Sequence, residues 1–131
     1  MIECLIVGDS IAVGTAQIRT ECVALAKSGI NSRDWNKRNR DKPLAAETVI
    51  ISLGSNDTAQ IRTMWEVTQL RERVRADRVF WILPANKPQV AEFVEIVARD
   101  FEDTVLRIPE LSKDGVHPTY KGYKNLANST R

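Results

Sequence analysis

The chain holds a single histidine, His117, so any chemistry that needs an imidazole must run through it. A serine becomes a nucleophile at neutral pH only with a base in hydrogen-bond reach, and that base needs a partner to hold its tautomer. Ser10 offers the hydroxyl. Asp114, three residues before His117 in the turn Asp114-Gly115-Val116-His117-Pro118, offers a carboxylate that can fold back onto one ring nitrogen while the other faces Ser10. Acyl transfer also needs hydrogen-bond donors in place before an oxyanion forms. The Ser10 amide, the Gly29 amide and the Asn56 side-chain amide are the natural three.

Each of these residues has a plainer use: Asp9 or Ser10 as a helix cap, Gly29 as a strand exit, Asn56 and Asp114 as turn formers, His117 as a helix-end residue. What favours chemistry is where the elements put them. The run Ile2, Cys4, Leu5, Ile6, Val7 is short, apolar and without clean alternation, as suits a strand buried on both faces of a parallel sheet. It ends at Gly8-Asp9-Ser10, where the next helix begins and its free N–H groups favour negative charge. A helix over Ile11–Ile18, with Gly14 inside it, leads to a second strand, Cys22–Ala26, that stops at Ser28-Gly29. Asn31 or Ser32 can cap a short helix carrying Arg33, Trp35, Lys37 and Arg38. The third strand, Thr48–Leu53, closes on Gly54-Ser55-Asn56-Asp57.

Next comes a helix with Met64, Val67, Leu70, Arg71 and Val74 at helical spacing. Its Arg71, Arg73 and Arg75 interleave with Glu66 and Glu72 as a solvated, salt-bridged face. A fourth strand, Val79–Leu83, ends at Pro84, and a helix opens at Pro88. A fifth strand, Thr104–Ile108, precedes the loop with Asp114 and His117, and a last helix runs through Tyr120, Tyr123, Leu126 and Ala127. Strands alternating with helices through short connections specify a three-layer α/β/α sandwich on a five-stranded parallel sheet. Ligands of such sheets bind beyond the carboxyl ends of the strands, and Ser10, Gly29, Asn56, Asp114 and His117 all fall there.

The quartet Gly8-Asp9-Ser10, Gly29, Gly54-Ser55-Asn56-Asp57 and Asp114-Gly115-Val116-His117-Pro118 resembles the motif set of the GDSL or SGNH hydrolases. The resemblance spans Gly8 to Pro118, in the same order. It implies a flavodoxin-like fold and esterase-type activity without metal or cofactor. The matching roles are Ser10 as nucleophile, His117 as base, Asp114 as its orienting acid, and Gly29 and Asn56 as oxyanion donors. The chain's loops are minimal for that family and leave little wall around a pocket. A solvent-open site suits small acyl groups, acetyl above all, on a large polar alcohol such as a carbohydrate or cell-wall polymer. Thioesterase or lysophospholipase activity is the alternative within the family. Trp35 and the basic segment from Arg33 to Lys42 are candidates for sugar or acidic contacts, against a core tryptophan beside solvated charges.

The bulk properties exclude other classes. With 131 residues, 43% hydrophobic and 27% charged, the chain reads as one globular domain over residues 1–131. A net charge of +2 argues against nucleic acid as a partner. No apolar run approaches the ~20 residues needed to span a bilayer, and no signal peptide is read before the first strand, so a cytoplasmic location is expected unless another route exports the chain; a monomer is expected as well. Cys4 and Cys22 have no CxxC spacing and are expected as buried reduced thiols. A phosphoreceiver-like signalling domain shares this sheet and would use Asp57 as acceptor, Asp9 as metal ligand and Lys113. Against it, strand one ends in one acid rather than a pair. An inactive carbohydrate-binding module is the third class, opposed by the intact serine, histidine and aspartate.

Overall fold

A computed structural model describes residues 2–131. Seven residues of mostly apolar and β-branched character make β1 (Ile2–Gly8), which enters the centre of a parallel sheet. The other strands are β2 (Val23–Ala26), β3 (Leu44–Ser52), β4 (Val74–Arg75), β5 (Arg78–Ile82) and β6 (Thr104–Leu106). The main sheet runs β2-β1-β3-β5-β6, with Leu5 opposite both Val23 and Val49, and Ile51 opposite Trp81. This is the expected three-layer α/β sandwich with flavodoxin-like order. The expected five strands form it; the two-residue β4 pairs with the start of β3 alone. The β3 strand opens four residues earlier than its β-branched run suggests, because Leu44 and Ala46 are also buried in the core.

Five helices cover the sheet: α1 (Ser10–Ile18), α2 (Ser32–Arg38), α3 (Thr63–Arg73), α4 (Pro88–Asp100) and α5 (Tyr120–Ser129). One face of the sheet packs Trp35 of α2, Val67 and Leu70 of α3, and Val94 and Val97 of α4 around Val49, Ile51 and Trp81. The other packs Ile11 and Ala12 of α1 and Leu126 of α5 around Ile6, Ile50 and Ile82. Trp35 is therefore a core residue, fully buried, with its indole N–H donating to Leu25 O at 2.9 Å. Among the described residues no helix is long and apolar enough to cross a membrane.

Two expectations are corrected. Cys4 and Cys22 are joined in a disulfide. Cys22 lies one residue before β2, and the parallel register Leu5↔Val23 sets the two cysteines side by side, a neighbourhood invisible until the strands pair. Arg71 and Arg73 of α3, and Arg75, which lies past the helix in β4, also do not form a helix-internal salt-bridged face. Arg71 makes a two-pronged ion pair with Asp103, at 2.7 and 3.0 Å, and Asp103 also accepts from the Trp81 indole. Arg73 donates to the carbonyls of Asn39, Arg40 and Lys42, and Arg75 to those of Glu72 and Val74. Glu66 accepts from Asn36 Nδ2 at 2.8 Å. Arginine stems are long enough to reach across to neighbouring elements, which helical periodicity alone does not reveal.

Candidate active site

The end of β1 is tied to the end of β3. Gly8 has φ +142°, and a Cβ there would sit 1.8 Å from the Ser52 carbonyl oxygen, so only glycine admits this approach. Immediately after it, the Asp9 N–H donates to that same oxygen at 2.9 Å. The Asp9 side chain, fully buried, caps α1 by accepting from Ile11 N at 3.0 Å, and also accepts from the hydroxyls of Ser55 at 2.7 Å and Ser52 at 3.3 Å. Burial pushes its carboxyl pKa up, opposed by those hydrogen bonds. Asp9 thus shapes the turn that presents Ser10. Ser10 becomes the first residue of α1, its backbone N–H among the groups without an intrahelical acceptor.

Across from it, the loop between β6 and α5 folds on itself. Ser112 N donates to His117 O at 2.8 Å, and Leu111 and Pro118 form an isolated bridge. Asp114 Oδ1 accepts from Val116 N, His117 N and Ser112 Oγ at 2.8 to 2.9 Å, leaving Oδ2 for the imidazole. The result is a continuous line. Ser10 Oγ lies 2.7 Å from His117 Nε2, and His117 Nδ1 lies 2.7 Å from Asp114 Oδ2. With the ring proton on Nδ1, His117 donates to Asp114 and accepts from the Ser10 hydroxyl. The hydrogen bond from His117, followed by the backbone N–H donors of His117 and Val116, holds the Asp114 carboxyl well below the usual carboxylate range.

The loops that carry Gly29 and Asn56 are tied to each other and to the ends of β1 and β3. The Gly29 loop is anchored to the end of β1 by Lys27 N donating to Gly8 O at 2.9 Å. Asn56 Nδ2 donates to Ile30 O at 3.0 Å and, more loosely, to Ser55 Oγ at 3.5 Å, so the amide sits against the residue following Gly29. The adjacent Ser55 is the residue that reaches Asp9. Both loops therefore hang from the same two strand ends as Ser10.

The structure also shows a polar layer that sequence reasoning missed. Asp57 is 1% exposed, and its carboxylate accepts from Ser32 N at 2.9 Å, Ser32 Oγ at 2.6 Å and Thr63 Oγ at 2.7 Å. Its carbonyl takes Lys87 Nζ at 2.7 Å. One side chain thereby pins the starts of α2 and α3 beneath Asn56. A carboxylate so occupied is not a free phosphoacceptor, and Asp9 is equally committed. The Gly54-Ser55-Asn56-Asp57 turn held the signal, but its partners lie 6 and 25 residues away in sequence.

Three solved structures superpose over nearly the whole chain. An acylhydrolase assignment from Bacteroides fragilis matches with TM-score 0.73 and 19% identity, covering 97% of this chain and 83% of its own. One assigned as a GDSL-like lipase, from Parabacteroides merdae, matches with TM-score 0.68 and 16% identity, covering 95% and 91%. The chain has the GDSL-hydrolase fold. The catalytic domain of Streptococcus pneumoniae peptidoglycan O-acetyltransferase A, with a methylsulfonyl adduct, is similar at TM-score 0.63 and 14% identity, covering 97% and 89%. The sequence itself matches no protein-family model and no curated protein.

Proposed function

We propose that the chain is a serine hydrolase of small acyl esters, acetyl above all, on a carbohydrate or cell-wall polymer, working through an acyl-enzyme on Ser10. The observation that carries this reading is the unbroken line Ser10 Oγ, His117 Nε2, His117 Nδ1, Asp114 Oδ2, with 2.7 Å at each bond. As the Ser10 oxygen attacks the ester carbonyl, its proton passes to His117 Nε2, and the imidazolium is stabilised by the ionised Asp114. The carbonyl oxygen becomes an oxyanion, met by the Ser10 N–H at the start of α1, the Gly29 N–H and the Asn56 Nδ2 N–H that is held only loosely by Ser55 Oγ at 3.5 Å. His117 returns the proton to the leaving alcohol, and a water activated by the same nitrogen then releases the acid. Every proton and charge is handled by side chains and backbone of this chain, so the scheme calls for no metal or cofactor.

The resemblance in motif and the names of the structural neighbours support acyl chemistry; the minimal loops support a small acyl group on a bulky alcohol. The chain acts as a monomer in this scheme, since each group in it comes from one copy. The Cys4–Cys22 disulfide supports work in an oxidising compartment, against the cytoplasmic expectation. The test is covalent: treat the protein with a sulfonyl fluoride and map the modified peptide. The reagent loses fluoride as Ser10 Oγ bonds to sulfur, so one sulfonyl group on Ser10 is expected, and none on the Ser10→Ala or His117→Ala variants. Labelling elsewhere with Ser10 untouched overturns the reading.

A further inference from the structure

Away from the Ser10 line, the outer surface between α2 and α3 carries a cleft of about 440 Å³, within the size range of small-ligand sites. Its walls are unlike the rest of the surface. Trp65 stands at one side, 49% exposed although the core has room for Trp35 and Trp81. Arg62 lies over its ring at 5.3 Å and belongs to the apolar surface on the far side of Trp65, so the indole is braced from outside the cleft. Facing it are Arg33, Lys37 and Arg40.

The charge balance is uneven. Four cations line the cleft against two carboxylates, Glu66 and Glu72. Glu66 is already engaged by Asn36, and Arg73 is committed to three carbonyls at the lower end of α2. Lys37 and Arg40 have no ion-pair partner among the described residues, and Arg33 has only Asp34 beside it on the open surface, at 3.3 Å. Such exposed pairs exchange partners at little cost. Asn36, also lining the cleft, gives its Nδ2 to Glu66, and its Oδ1 is buried without a donor. A flat indole, side-chain amides and unpaired cations together match one chemistry: a sugar ring with an apolar C–H face, hydroxyls and a carboxylate.

We propose that the α2–α3 cleft binds a carboxylated oligosaccharide and holds an acidic glycan whose acyl ester is presented at Ser10. The inference deepens the proposed function and rests on it for the polymer's role as substrate. The connection is structural. The cleft's upper end is formed by Arg33, Trp65 and Glu66 in the first turns of α2 and α3, and both starts are held by Asp57, the residue after Asn56, which bonds Ser32, three residues after Gly29, and Thr63. A chain lying in the cleft therefore leads toward the candidate oxyanion donors.

The test is calorimetric titration of the Ser10→Ala protein with an oligogalacturonate, beside a neutral cello-oligosaccharide and a single-stranded oligonucleotide of equal charge. Saturable binding is expected for the oligogalacturonate alone. It should weaken by at least about tenfold in Trp65→Ala and in Lys37→Glu/Arg40→Glu, with Trp65→Phe between wild type and alanine. In the Ser10-intact background these variants should turn over a small aryl acetate within about twofold of wild type, which also shows that they fold. No binding of the oligogalacturonate, equal binding of the neutral sugar, tighter binding of the oligonucleotide, or indifference to the substitutions would each overturn the cleft's assignment. Aryl acetate turnover is read separately, so loss of the cleft proposal and loss of the Ser10 mechanism give different results.

Discussion

At the residue scale the proposed chemistry rests on a handful of polar atoms. Asn56 Nδ2 donates to Ile30 O at 3.0 Å and only loosely to Ser55 Oγ at 3.5 Å, and in the proposed scheme the looser N–H turns to the oxyanion. Asn56→Ala should therefore lower kcat by about 10²–10³ with little change in KM, the signature of a donor used mainly in the transition state. Asp114 has a second, pH-related consequence. Its carboxyl pKa is depressed by the His117 hydrogen bond and by backbone donors, so its orienting contribution is fully present above the ordinary carboxylate value and lost only as pH falls through the lowered one. Across the range where esters are assayed Asp114 stays ionised. The acid limb of log kcat/KM against pH should then carry no contribution from Asp114. Asp114→Asn should cost about 10⁴ in kcat by removing the acceptor that sets the tautomer. Ser10, His117 and Asp114 were legible in the sequence because their chemistry demands one another and the chain offers a single histidine. The Asp57 and Asp9 networks were not, because hydroxyls such as Ser32, Ser52 and Thr63 look like ordinary turn and strand residues until the loops meet.

At the element scale, helix contacts set the 2.7 Å distance between Ser10 and His117. Gly14 lies one turn along α1 from Ser10, and a Cβ there would come within 2.3 Å of the Tyr123 ring on α5, the helix that follows the His117 loop. Gly14→Ala should push α5 away, cost about 1–3 kcal/mol of stability, and reduce kcat by about 10²-fold through misplacement of His117. Adding Tyr123→Leu to make room should recover much of both, measured by denaturant unfolding and aryl acetate turnover. The start of α1 carries the opposite electrostatics to Asp114. Burial raises the Asp9 pKa, so stability falls as pH rises from the ordinary carboxylate range through that raised value. Asp9→Asn keeps a good cap and removes the buried charge, and its Tm relative to wild type should climb with pH over that window. The sequence placed most elements within a residue or two, since Pro84, Pro88 and the apolar runs mark their ends. It missed β4 because two residues carry no periodicity.

At the scale of the whole molecule, the sheet is a frame closed on its edge by a covalent bond. β2 is short and mostly exposed, and the Cys4–Cys22 disulfide joins it to the buried β1 across a sequence separation of 18. Replacing both cysteines by serine should lower unfolding free energy by about 3 kcal/mol, read from denaturant melts with and without reductant. The Gly29 loop leaves directly from β2, so the same variant should lose activity at temperatures where the rest of the chain is still folded. Sequence spacing pointed to free thiols because parallel register, not proximity along the chain, makes them neighbours. The architecture itself was legible, since alternating apolar strands and amphipathic helices admit few arrangements, and those few bring the polar loops to one rim.

The most direct measurement is the turnover of a small aryl acetate by wild type and Ser10→Ala under identical conditions. The geometry of Ser10, His117 and Asp114 predicts that the variant loses several powers of ten in kcat, by about 10⁴ or more, while its unfolding transition is unchanged. Near-wild-type turnover by the folded variant would contradict the account.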